Sequence, residues 1–296
     1  MVRVAAGLLA DRILGEPPAS LHPVAGFGSV MNAVERRLHR DSRLAGAAHA
    51  AVGLGLGLAA GRAVRSTAVA TYLSVAGRML ATTATDIAGA LEAGDVDRAR
   101  SLLPSLAGRD PESLDGKGIA RAVVESVAEN TVDAIVAPAL WAAVAGAPGV
   151  LAHRAVNTMD AMVGHRTERY GRYGWAAAKL DDAMAWAPAR ATAGLVALVR
   201  PSHAGDVWRS VRRDAPAHPS PNAGVAEAAF AAALQLRLGG PTTYAGVTDL
   251  RPTLGDGRTP EPTDIPRAVR LSRDVTAALG LLLLLPRPNG RDGGRP

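Results

Sequence analysis

The stretch Arg121-Ala-Val-Val-Glu-Ser-Val-Ala-Glu-Asn-Thr-Val-Asp133, with the uncharged window 134–152 directly behind it, decides the fold. Glu125, Glu129 and Asp133 recur at the interval that brings side chains together on one face of an α-helix. Like charges so placed cost roughly 0.2–0.5 kcal/mol per pair, so the stripe asks for a cation. Arg121, one turn earlier, supplies one structurally; a bound Mg2+ or a cationic substrate would supply one functionally. The helix then runs into a window as long as a bilayer needs, interrupted only by Pro138 and Pro148. A charged helix end therefore meets an apolar span.

Composition points the same way. Hydrophobic residues make up 48% of the 296 residues but aromatics only 3%, which leaves Ala, Val and Leu as the core and favours closely packed helices. No segment alternates with period two, so strands are not expected. The fold class read from this is all-α: a polytopic helical membrane protein whose motifs sit in polar loops and at helix ends. Residues 1–285 are expected to form one helical membrane-associated domain, and 286–296 a disordered Arg/Gly/Pro tail. Windows 44–60 and 134–152 carry no charge and 275–285 is apolar but short. Ala and Gly dominate the first two, which suits a buried helix equally. Arg-rich segments 36–43, 62–65 and 200–213 flank apolar stretches as positive-inside loops do, and as a solvated surface also would. Val2–Ala10 lacks a cleavage pattern and is expected to be retained.

The absence of cysteine excludes a disulfide framework, a thiolate zinc site and a cysteine nucleophile. A net charge of +6 suits phosphorylated small molecules, anionic lipid or nucleic acid. Helices are expected over Val24–Arg40, Leu44–Gly61 and Ser66–Glu92. No Walker A sequence, dinucleotide fingerprint or His-Glu-x-x-His occurs, so chemistry must come from scattered groups. Glu129, Asp133, Asp160 and Asp181, with Glu125 and Asp182, can supply the hard oxygen ligands that suit Mg2+ holding nucleotide phosphates. Arg109, Arg166, Arg169, Lys179 and Arg190 can bind phosphate oxygens; a solvated face explains each as well. Asn130, Asn157 and Asn222 can orient a substrate amide or serve as helix caps, capping being the default for Asn222. Asp11 and His22 bracket a fixed loop at Gly15-Glu-Pro-Pro.

These blocks together closely resemble the CobD/CbiB family of cobalamin biosynthesis, the adenosylcobinamide-phosphate synthases. The resemblance is carried by Asp11 with Gly15-Glu-Pro and His22-Pro-Val, by Gly108-Arg-Asp, and by the run from Glu125 to Asp133. Asn157-Thr-Met-Asp160 with Gly164, Glu168-Arg-Tyr170 and Leu180-Asp-Asp182 continue it. Pro188-Ala-Arg190 and Ser220-Pro-Asn-Ala-Gly224 with Glu227 complete it. Pro111 stands where the family usually has Thr, and His165 where it has Tyr; neither removes a charged candidate.

The resemblance implies a multi-pass protein of the cytoplasmic membrane that joins the carboxylate of adenosylcobyric acid to (R)-1-aminopropan-2-ol or its O-phosphate. Forming an amide in water is uphill, so ATP and Mg2+ are implied, with an acyl phosphate as intermediate. The corrinoid and the amine are then substrates, the lipid bilayer and other cobalamin-assembly membrane proteins are partners, and nucleic acid is not. Catalytic roles are assigned to Glu125, Glu129, Lys179 and Asp182, and metal ligation to Glu129, Asp133, Asp160 and Asp181. Substrate or phosphate binding falls to Asp11, His22, Arg109, Asn130, Asn157, Arg166, Arg169, Arg190, Asn222 and Glu227. Alternatives from other classes are a non-catalytic corrinoid-presenting membrane component and an anion or ion transporter.

Overall fold

The computed structural model describes residues 1–18, 22–108, 111–165, 167–244 and 247–285. The tail 286–296, Arg109 and Arg166 lie outside the described residues. Helices α1 (Val2–Leu14) and α2 (Pro23–Leu38) flank the proline loop, and His22 caps α2 by accepting from Val24 N at 3.2 Å. Then follow α3 (Arg43–Val64), α4 (Thr67–Tyr72), α5 (Gly77–Glu92) and α6 (Val96–Leu102). The expected helix over 66–92 is thus two helices. The cause is at their junction, where Ala76 N leaves the helical ladder and donates to Ala134 O at 3.0 Å.

That carbonyl belongs to a π-turn, Val132–Val136, which joins α7 (Gly116–Thr131) to α8 (Ala137–Val163). A π-turn loosens the regular hydrogen-bond register, which frees a carbonyl for a neighbour and is common at functional positions. Asp133 lies inside it. Within α8 the backbone breaks at Gly146, whose φ of 63° is left-handed and precedes Pro148.

Small residues set the packing. Gly53, Gly57 and Gly61 form a seam along α3 against α8, and a Cβ on Gly57 would lie 2.7 Å from the Leu151 carbonyl. The helices approach that closely because nothing larger intervenes. Helices α9 (Trp175–Val199), α10 (Ala204–Asp214) and α11 (Ala223–Leu234) come next. Every residue of α11 is buried, its alanines letting α7, α9 and α10 close around it. Phe230, Ile119 and Leu271 anchor the main core, each such side chain stabilising by about 1.5–3 kcal/mol when fully buried. A second cluster of Met31, Val156, Met159 and Tyr173 fixes α2 against α8.

The expectation of no strands is corrected by an antiparallel hairpin, β1 (Leu238–Tyr244) and β2 (Val247–Leu254), paired from Leu238↔Leu254 to Tyr244↔Val247. Gly239, Gly240, Pro241 and Pro252 hide its alternation, and a bulge after Leu238 shifts the register. The last helix among the described residues is α12 (Asp264–Leu284), packed on α5, α7, α9 and α1. The all-α class holds apart from this hairpin. Two helical runs, Arg43–Val64 and Gly116–Val163, are long and apolar enough to cross a membrane.

Candidate active site

The π-turn, α8 and α9 bring separated carboxylates together. Asp133 lies within electrostatic reach of Asp181, Glu129, Asp160 and the Arg154 guanidinium. Asp181 in turn feels Asp160, Asp182 and Glu129, and Asp160 feels Asp182. Burial, then Asp160, push the Asp181 carboxyl up to about 7, while the hydrogen bond from Asn157 Nδ2 at 3.3 Å opposes them. The four acids expected to ligate a metal are therefore neighbours. Among the described residues, no three of them stand close enough to hold an ion by themselves. That donor set suits Mg2+, which keeps several waters and is held by one or two carboxylates together with substrate phosphates.

Beside the acids, Lys179 Nζ lies 3.3 Å from Asp182 Oδ2, one helical turn on. Asn222 occupies the N-cap position of α11, yet its side chain makes no cap bond. Its Nδ2 donates to Asp182 O at 2.8 Å and its Oδ1 accepts from Arg190 Nη1 at 3.0 Å, so the capping default is replaced by a bridge from α11 to α9. Arg190 also stacks 4.4 Å over Trp186. Asn130 is turned inward on its own helix, donating to Ser126 O at 2.9 Å.

Other candidates sit elsewhere. Glu125 is buried and accepts from Gly239 N at 2.7 Å, while Arg121 Nη1 donates to Gly239 O at 2.8 Å. The first acid of the stripe thus clamps the hairpin. Glu227 joins that side, 3.7 Å from His218, whose Nε2 accepts from Arg251 at 3.1 Å. Desolvation and Arg251 lower the His218 pKa against the pull of the Ser220 backbone and Glu125. Arg169 is bound to Glu35 at 2.8 Å, with the Tyr170 hydroxyl donating to the same oxygen at 3.0 Å. Its guanidinium, expected to bind phosphate, is thereby tied to α2.

Asp11 is buried on α1, where its Oδ2 accepts from Arg78 N at 3.1 Å. Burial raises its pKa and the backbone N–H groups of Arg78 and Gly77 oppose this; Oδ1 has no partner among the described residues. His22 faces Glu16 at 3.8 Å, and desolvation followed by Arg154 lowers its pKa. Glu16, His22, Arg78, Thr82 and Arg154 line a cavity of about 620 Å³. A smaller one of about 290 Å³ shares Arg78 and Thr82 with it and includes Asp11 and Arg273.

Sequence reasoning missed Glu16 and Arg154. Glu16 stood inside the Gly15-Glu-Pro block, and Arg154 one helical turn before Asn157, so both lay beside residues already singled out.

The family profile described as CobD/Cbib protein matches residues 4–272. The chain belongs to the CobD/CbiB family. Cobalamin biosynthesis protein CobD of Mycobacterium tuberculosis (strain ATCC 25618 / H37Rv) is 51% identical over 298 residues, covering 96% of this chain and 95% of the relative. The protein of the same name from Chromobacterium violaceum is 44% identical over 281 residues, covering 89% of each chain. That from Halalkalibacterium halodurans is 36% identical over 308 residues, covering 96% of each. No solved structure matches the chain.

Proposed function

We propose that this CobD/CbiB family member is an acid–amine ligase of cobalamin assembly. It joins the carboxylate of adenosylcobyric acid to (R)-1-aminopropan-2-ol or its O-phosphate, using ATP and Mg2+ at the cytoplasmic membrane. The observation that carries this reading is the gathering of Glu129, Asp133, Asp160 and Asp181 around one another with Arg154 against them. Such a set has no structural need for four acids, since like charges in a half-buried place destabilise one another. A divalent cation with phosphates offsets that cost.

Mg2+, held by Glu129, Asp133, Asp160 or Asp181, would supply charge neutralisation for the phosphoryl group. Phosphoryl transfer from ATP to the corrinoid carboxylate releases ADP; attack by the free amine then releases phosphate and leaves the amide. Asp182 takes the proton from the incoming ammonium, and Lys179, beside it at 3.3 Å, stabilises the charged base. Asn222 and Arg190 fix the backbone at Asp182, and Asn157 orients Asp181. Membrane residence is supported by the two long apolar helices and by exposed Leu9, Ile13, Leu56, Leu281 and Leu284 on α1, α3 and α12.

The test is a mass-resolved product assay on purified protein with each amine. An amide that requires ATP and Mg2+ supports the ligase. Tight corrinoid binding with no turnover under any nucleotide replaces it with a presenting role.

A further inference from the structure

Charge in the proposed site is out of balance unless a cation is found for bound phosphate, and the nominated cations among the described residues are engaged. Arg169 is held by Glu35, Lys179 by Asp182, and Arg190 by Asn222 and the Trp186 carbonyl. Arg154 differs. It projects from α8 within electrostatic reach of Asp133, Glu16 and His22. Its side-chain hydrogen bond among the described residues is a long one, Nη1 to Asn157 Oδ1 at 3.5 Å, and its buried Nε has no partner there. A guanidinium carries several N–H donors in a planar fork that matches phosphate, and a buried Nε left without a partner is costly.

The space in front of it is of ligand size. The cavity of about 620 Å³ is lined by the α1–α2 loop and by Arg78, Thr82 and Thr83 of α5. Glu16 Oε1 is also buried without a partner among the described residues. Glu16 is then the counter-charge that an incoming anion competes with.

We propose that Arg154 is the principal phosphate-binding residue among the described residues, and that the cavity it shares with Glu16, His22 and Arg78 receives a phosphate monoester or anhydride. The assignment rests on the ligase reading only for the choice of substrates, because both ATP and the O-phosphorylated amine carry the group.

Inorganic pyrophosphate titrated calorimetrically into the full-length protein, in phospholipid-free detergent, tests it. Arg154→Ala is expected to weaken binding about tenfold or more, the loss of charge-assisted hydrogen bonds, and Arg154→Lys to retain part of the affinity. Glu16→Gln is expected to tighten it severalfold by removing the competing carboxylate. Should Arg154→Ala fail to fold, Arg154→Lys and Glu16→Gln decide, since neither removes a cation. Affinity within twofold of wild type in all three, or no binding by the wild type, overturns the proposal. Displacement of pyrophosphate by ATP or by 1-aminopropan-2-ol O-phosphate names the source; displacement only by phosphatidylglycerol would assign the cavity to lipid and overturn it. Binding is read without turnover, so Arg154-dependent binding beside absent amide synthesis rejects the ligase alone, and amide synthesis without that dependence rejects the cavity alone.

Discussion

Asn157 Nδ2 donates to Asp181 Oδ1 at 3.3 Å, tying the C-terminal part of α8 to α9 inside the acid cluster. The bond opposes the burial and the Asp160 charge that raise the Asp181 pKa, and so favours the ionised carboxylate. Asn157→Ala should therefore weaken Mg2+ use more than substrate binding. The expected result is a rise of about three- to tenfold in the Mg2+ concentration for half-maximal amide synthesis, the equivalent of one ordinary hydrogen bond, as suits its 3.3 Å length. A variant with unchanged Mg2+ dependence and uniformly lower turnover would place the Asn157 amide outside the metal's reach.

Glu125 and Glu129 separate by direction. Glu125→Ala strands the Gly239 N–H that the carboxylate satisfies, so it should lower stability by about 1–3 kcal/mol and leave Mg2+ dependence unchanged. Glu129→Gln should do the reverse, shifting Mg2+ dependence with little change in melting temperature. Thermal melts and Mg2+ titrations of both variants check the pair. Matching Mg2+ shifts would return Glu125 to the site.

How much was legible follows from the same contrast. Spacing along one helix put Glu125, Glu129 and Asp133 on a common stripe, which is a local fact. Which neighbour each meets depends on α8, α9 and the hairpin, and no interval within α7 encodes that. The π-turn adds to the difficulty, because Asp133 lies where the regular register is lost. Asn222 sits where a cap belongs and was read so, although Arg190 and Asp182, distant in the chain, take its side chain. Arg169 is a charged motif residue whose partner, Glu35, sits on a helix that composition alone cannot place beside it. Asp160 and Asp181, grouped by the ligand chemistry of their carboxylates, lie within electrostatic reach of each other although no sequence interval joins them.

Acid should act through Asp264. Its buried carboxylate accepts from Arg258 at 2.6 and 2.8 Å, from Glu261 N at 2.9 Å and from Arg267 at 2.6 Å. Desolvation raises its pKa, but these bonds outweigh it and hold the group below the ordinary carboxylate value. A depressed folded pKa means the contribution is complete above the unfolded value near ~3.9 and is lost as pH falls through the folded one. Melting temperature should hold from neutral pH to about 4 on this account and drop below it. Asp264→Asn should cost about 1–2 kcal/mol at pH 7, the half-exposed arginines discounted for screening, and flatten that acid limb. An equally steep limb in the variant would move its origin to another carboxylate.

The α3–α8 seam offers a paired test of close packing. Gly57 faces α8 so tightly that a Cβ would stand 2.7 Å from the Leu151 carbonyl and 2.8 Å from the Ala155 methyl, and both neighbours are built into a helix that cannot yield alone. Gly57→Leu must therefore part the helices, costing about 1–3 kcal/mol or more by overpacking. Gly55, two residues earlier on the same helix, meets nothing within 4 Å, so Gly55→Ala adds no contact and removes backbone freedom from the unfolded chain. It should leave stability unchanged or raise it by up to about 1 kcal/mol. Since α8 carries Arg154, Asn157 and Asp160, parting the seam should also lower amide synthesis, while Gly55→Ala should retain it. Detergent-solubilised melts and product assays on the two variants decide the matter: equal melting temperatures would mean that α3 and α8 do not close on the glycine seam.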